Sequence, residues 1–268
     1  MHAYAAAFAA VVWREVLRFV HQRERFLSAL VRPLIWLLVF AAGFRAVLGI
    51  AIQPPYETYI TYDVYIAPGL VAMIQLFAGM QSSLSMVYDR ETGSMRVLLT
   101  TPLPRWFLLF SKLSAGAIVS ILQVYAFLLI ASFFGIAFPL PGYILVLPVL
   151  MLTGLMLGAI GMFISSSVRQ LENFAGVMNF VIFPAFFLSS ALYPLWRMKE
   201  SSVPLYWISE LNPFTHAVEL VRFALYAKGE WISLAVVAGT LIVALGLSVW
   251  GYNPQRGMRI GGGPGGER

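Results

Sequence analysis

The sequence predicts an all-α membrane protein, and three observations carry that prediction. Hydrophobic residues make up 60% of the 268 positions and charged residues only 11%, against roughly 25% charged in soluble domains. Mean hydropathy is +0.80. Six apolar stretches are long enough to cross a hydrocarbon core of about 30 Å, which takes about 20 residues of helix. The expected organisation is an amphipathic interface helix over 1–28, a transmembrane domain over 29–250 and a flexible tail over 251–268, with no stretch left for a soluble domain.

In the first segment Trp13, Val16, Leu17 and Val20 recur at helical spacing on one face, with Arg14, Arg18, Gln22 and Arg25 on another. That pattern fits a helix lying in the membrane interface. A secretory leader places its charge before the apolar region, and here the order is reversed. The first span is expected at Pro33 to Ile50, with Arg45 near its far end. An intramembrane arginine is a functional candidate, although at that depth its guanidinium can reach the interface. The second span is expected at Ile66 to Val87, opened by Pro68 and Gly69, where a missing donor costs little.

Between this span and the next lies a polar, amphipathic segment, Tyr88 to Pro102. Asp89, Arg90 and Glu91 precede a short helical pattern with Met95, Leu98 and Leu99 on one face, stopped by Pro102 and Pro104. Tied at both ends to membrane helices, such a segment can transmit a push. The third span follows at Leu113 to Phe134, then a tight turn at Pro139 to Gly142. The fourth, Tyr143 to Ser167, carries Gly154, Gly158 and Gly161 at a spacing that lets backbones approach closely, here by packing inside one subunit. The fifth, Phe174 to Leu192, holds Pro184, which should kink or break it. A long irregular region, Tyr193 to Trp231, precedes the sixth span at Ile232 to Trp250. The glycine-rich tail is not expected to fold.

Charge sets the orientation. Thirteen Lys and Arg residues fall on the side of the termini, among them Arg14, Arg18, Arg90, Arg96, Arg105, Lys112 and Arg169, against Arg197, Lys199, Arg222 and Lys228 on the other. Both termini are therefore expected in the cytoplasm. The net charge of +6 belongs to this topology rather than to nucleic-acid binding. Absent cysteine excludes disulfides, thiolate metal sites and cysteine nucleophiles.

Asp89 to Ser94, followed by Leu98, Leu99, Thr101, Pro102 and Lys112, resembles the first cytoplasmic loop of ABC-2 type permeases. Asn212 to His216, followed by Arg222, is similar to that family's motif after the fifth span, with Pro194, Pro204 and Trp207 where the family keeps prolines and an aromatic. The resemblance covers nearly the whole chain. It implies a coupling helix that docks in an ATPase subunit through Asp89, Arg90, Glu91, Gly93, Leu98, Leu99 and Pro102. It also implies short re-entrant helices on the outer side over Leu192 to Arg222, including Pro213, His216 and Glu219, and a substrate path along the permease interface near Arg45, Tyr193 and Trp196. The working transporter would pair two permeases, as a homodimer, with two ABC ATPase subunits in a bacterial inner membrane. This chain would hold no cofactor, with ATP and Mg on the partner. No GxxxxGK[ST] phosphate-binding loop occurs, so a transport subunit rather than an enzyme is expected.

His216, Glu219 and Arg222, three residues apart, share one side of a helix. A hydrogen-bonded set is the favoured reading, a contact between Arg222 and an anionic substrate group the next, and a metal site the weakest, since two ligands do not make one. Tyr56, Tyr59, Tyr62, Tyr65, Tyr193, Trp196, Tyr206 and Trp207 read as an aromatic belt, with a stacking surface for sugars or planar drugs as the sharper alternative. Two other classes compete: an autonomous secondary transporter or channel, which would need coupling carboxylates and matched broken helices, and a membrane enzyme using His216 with Glu219 or Asp63, which would need more convergent polar groups.

Overall fold

The computed structural model describes residues 2–21, 23–44, 54–91, 104–168 and 171–251. In chain order the helices are α1 (His2–His21), α2 (Arg23–Phe44), α3 (Tyr62–Glu91), α4 (Arg105–Phe133), α5 (Leu140–Ser167), α6 (Leu171–Phe187), α7 (Leu195–Ser201), α8 (Val203–Glu210), α9 (Pro213–Leu225) and α10 (Trp231–Gly251). Among the described residues, α3, α4, α5 and α10 are long and apolar enough to cross a membrane. The apolar parts of α2 and α6 are shorter, Ala29–Phe40 and Gly176–Phe187. The expected six spans therefore correspond to four long helices and two short apolar ones.

Several boundaries move. The first helix ends at His21, and α2 starts at Arg23 and carries Pro33 inside it rather than at its start. Pro68 does not open the second span: α3 begins at Tyr62, where the Thr61 carbonyl accepts from the Tyr65 N–H at 3.2 Å. Asp63 in that first turn suits the positive end of the helix dipole. The turn expected at Pro139 to Gly142 lies earlier. Gly135, at φ +83°, closes α4 with its N–H on the Ser132 carbonyl and the Ile136 N–H on that of Ala131, a left-handed cap that glycine adopts without strain. Leu140 already starts α5. Tyr88 to Glu91 are the last turn of α3; residues 92–103, Arg45 and the tail from 252 lie outside the described residues.

Helix α3 is the most enclosed of the long helices and packs on α5, α4, α2, α9 and α6. The core forms where Leu70, Met73 and Met80 of α3 meet Phe127 of α4, Leu150 of α5 and Phe186 of α6. Gly158 and Gly161 of α5 face α3, as the intrasubunit reading of their spacing required: a Cβ on Gly79 would stand 2.9 Å from the Gly158 nitrogen. Near the middle of the pair, Gln75 donates to the Leu150 carbonyl at 2.6 Å and accepts from Thr153 Oγ1 at 2.7 Å. Where no water competes, such bonds tie helices together. Outward faces carry Phe133, Leu140, Ile144, Phe180 and Ile242 almost bare, a surface suited to lipid and not to water. Helix α1 lies on α4 and α2, with Trp13 and Val20 exposed.

Candidate functional site

The polar cluster with the densest bonding assembles where α6 stops. Pro184 has no N–H to donate, and α6 runs only three residues past it, to Phe187. A helix end leaves its last carbonyls without partners, which an apolar environment cannot tolerate. Side chains from other elements meet that need. Asn212 donates to the carbonyls of Ala185 and Leu188 at 2.8 and 2.6 Å. Arg222 Nη2 and the Tyr65 hydroxyl both donate to the Ser190 carbonyl, each at 2.9 Å, and the Tyr62 hydroxyl donates to that of Leu192 at 2.8 Å.

The sequence builds α9 to present those groups. The Asn212 side chain accepts from the Phe214 N–H at 3.0 Å and caps the helix, and Pro213 stands at its first position, where a missing donor is harmless. Phe214, Ala217, Val218, Val221 and Leu225 form the buried face, and Arg222 reaches inward beside them. Its Nη1 pairs with Glu219, and its guanidinium carbon lies 4.2 Å from the centre of the Tyr65 ring. At the other end of the cluster, Thr215 donates to the Ser209 carbonyl at 2.6 Å, His216 Nε2 lies 2.9 Å from the Glu210 carbonyl, and Nδ1 lies 3.3 Å from Ser233 Oγ. The set thus links α3, α6, α8, α9 and α10. Lys228, just past α9, donates to the Pro55 carbonyl at 3.0 Å and pairs with Glu57 at 2.9 Å, and that ammonium holds the exposed Glu57 carboxyl below its ordinary range.

Changing Asn212 to Ala removes a cap and strands two carbonyls, an expected loss of about 2 kcal/mol. Unfolding in detergent measures it, and Asn212→Asp, which keeps the cap but cannot donate, should fall between. Equal stability of all three proteins would show that the end of α6 has no need of Asn212.

Of the residues singled out in the sequence, Asn212, Pro213, His216, Glu219 and Arg222 come together here. Of the three read as a hydrogen-bonded set, Glu219 and Arg222 pair with each other, while His216 bonds to the Glu210 carbonyl and to Ser233 instead; among the described residues no group of three His, Asp or Glu could hold a metal. Pro194 caps α7 and Pro204 sits in the first turn of α8, so the stretch read as irregular holds three helices. Trp207 and Tyr193 are exposed, while Trp196 lines a cavity beside Arg222. Asp89, Arg90 and Glu91 close α3; Arg45, Gly93, Leu98, Leu99 and Pro102 lie outside the described residues. The aromatic belt needs correction. Tyr56, Tyr62 and Tyr65 are 5%, 1% and 3% exposed, because their hydroxyls and rings are inside the cluster rather than at a lipid surface. Tyr62 and Tyr65, three apart at the start of α3, were the signal available for this, and Ser190 offered none.

Long apolar helices with bare hydrocarbon faces, held at one end by a side-chain network that replaces water, define a polytopic helical membrane protein. The model of the ABC-2 type transporter family matches residues 6–226, and the chain belongs to that family. Among its relatives are a putative transport permease, ycf38, of Cyanophora paradoxa, 30% identical over 212 residues (77% of this chain, 69% of the relative), and the probable multidrug ABC transporter permease YbhR of Escherichia coli strain K12, 31% identical over 189 residues (69% and 49%). Nodulation protein J of Rhizobium leguminosarum bv. viciae is 23% identical over 198 residues (73% of each). The chain is accordingly a membrane transport permease, and its family implies partnership with an ABC ATPase.

Proposed function

We propose that this chain is the membrane-spanning subunit of an ATP-driven exporter in a bacterial inner membrane, working as a homodimer with two copies of a separate ATPase. The observation that carries this reading is the family match over residues 6–226, which takes in both the polar segment after α3 and the cluster on α9. The cargo is amphipathic, lipid-linked, oligosaccharide or drug-like, and the name of the relative YbhR favours the last of these. ATP and Mg belong to the partner, because this sequence has no phosphate-binding loop.

Helix α3 makes the mechanical part of the proposal physical. It runs from the cluster at Tyr62 and Tyr65 to Glu91 and packs on five other helices. A push delivered at its Glu91 end therefore reaches Arg222 and the turn after α6 through packed side chains. With both termini in the cytoplasm, residues 88–102 face the ATPase. In proteoliposomes holding the complex, Glu91→Ala and Leu98→Asp should cut ATP-dependent transport about tenfold, equivalent to about 1.4 kcal/mol of lost coupling, while ATP hydrolysis continues. Full transport by both variants would count against the proposal.

A further inference from the structure

Two adjoining cavities of about 70 and 50 Å³ lie between α1 and α2 on one side and α3 and α4 on the other. Ala78 and Gln81 of α3 and Gln123 of α4 line both, so the two form one cleft. Pockets for drug-sized ligands measure roughly 300 Å³ or more. This cleft has room for a small polar group and not for a whole cargo molecule.

Polar side chains from three helices meet there without bonding to the fold. Gln123 is 3% exposed, and its Oε1 is enclosed without a hydrogen-bond partner, so Nε2 is the end turned to the cleft. Among the described residues the amide of Gln81 and the guanidinium of Arg32, on α2, also make no hydrogen bond or ion pair. Arg32 stands three residues inside the apolar part of α2, Ala29–Phe40, about 5 Å along its axis. Its guanidinium carbon is 3.9 Å from the centre of the Phe77 ring, a stacking that fixes the plane and leaves the N–H edge open. An arginine inside a span is costly without a counter-charge and marks a functional site. In the adjoining cavity Lys112 and Glu15 carry opposite charges, so the charge of Arg32 is left in excess. The cleft is matched to an anion with several acceptor oxygens.

We propose that this cleft holds the phosphodiester headgroup of a membrane phospholipid. Arg32 offers the phosphate oxygens a pair of parallel N–H donors, and Gln81 and Gln123 donate to them through their amide nitrogens. The mouth faces lipid, since Val31 and Ile35, flanking Arg32 on α2, are 49% and 54% exposed. Inside, Ile74 and Phe77 give the glycerol and acyl portions an apolar wall. Free phosphate presents the same oxygens but has no apolar body for that wall. The inference rests on the fold and not on the export reading.

Native mass spectrometry of the intact permease, titrated in detergent with phosphatidylglycerol, diacylglycerol or inorganic phosphate, tests it. Phosphatidylglycerol should be retained, diacylglycerol of the same chains should bind at least about tenfold more weakly, and inorganic phosphate should not displace the lipid. Arg32→Gln should weaken phosphatidylglycerol about tenfold. Arg14→Gln, which removes an equal charge from the exposed side of α1, should leave it unchanged. Gln123→Leu should weaken it about threefold, yet leave the unfolding midpoint in lipid-free detergent unchanged or raised, because its amide bonds to nothing that leucine would strand. Equal retention of diacylglycerol, which would mean an adventitious additive only, overturns the proposal. So do equal losses in the two arginine variants, displacement by inorganic phosphate, or a midpoint lowered by Gln123→Leu. Transport lost in the complex while this binding persists would count against export only.

Discussion

Arg222→Leu should destabilise the permease by about 3 kcal/mol, the cost of removing one partner of a buried ion pair. Leucine fills much of the space but leaves Glu219, whose side chain is only 20% exposed, without its cation. It also strips the Ser190 carbonyl of one of its two donors, leaving only the Tyr65 hydroxyl. Arg222→Lys keeps a charge but not the fork that serves Glu219 and Ser190 together, so it should lose roughly half as much. The double variant Arg222→Leu, Glu219→Leu should recover most of the loss, because the unpaired carboxylate goes with the arginine. Reversible unfolding in mixed detergent micelles gives all three values. An Arg222→Leu protein as stable as the starting one would remove the cluster from any part in holding α6 to α9.

Gly79→Leu should cost at least about 3 kcal/mol, the upper end for overpacking an interior. At this crossing α3 and α5 meet backbone to backbone: the added Cβ would find the Gly158 nitrogen at 2.9 Å and its Cα at 3.0 Å, atoms that cannot swing aside. The helices would have to part, and the bond of Gln75 to Leu150, one turn away, would lengthen with them. Gly239→Leu is the control, since a Cβ there meets nothing within 4 Å, and its unfolding curve should match that of the unaltered protein. Equal loss at both positions would mean that leucine disturbs the helices by itself, not through the α3 and α5 contact.

Reading the residues located the long helices well and their first turns poorly. Tyr62 to Tyr65 precede Pro68, and proline suggested a helix start because that is where it costs least; the tertiary contacts of Tyr62 and Tyr65 extend α3 upstream of it. The same bias placed Pro33 at the head of a span and the turn after α4 at Pro139 instead of Gly135. In the α9 region, the spacing of His216, Glu219 and Arg222 was legible as the polar side of a helix, while the capping of that helix by Asn212 was not read and came only from the structure. The function of that side was not, since its acceptors are backbone carbonyls at 185, 188 and 190, which every sequence possesses and none advertises.

Composition by itself determined that this chain lives in lipid, and apolar run length located the four long helices that can cross it among the six stretches expected, because the cost of placing polar groups in hydrocarbon acts on each segment separately. Charge asymmetry predicted the orientation for the same reason. Only the tertiary structure decided that Tyr56, Tyr62 and Tyr65 turn inward, that Gly79 meets Gly158, and that Arg222 closes the end of a helix broken 38 residues earlier at Pro184. Those outcomes depend on which carbonyls are left without donors once the helices have packed, and that is a property of the assembled bundle and not of any stretch of its sequence.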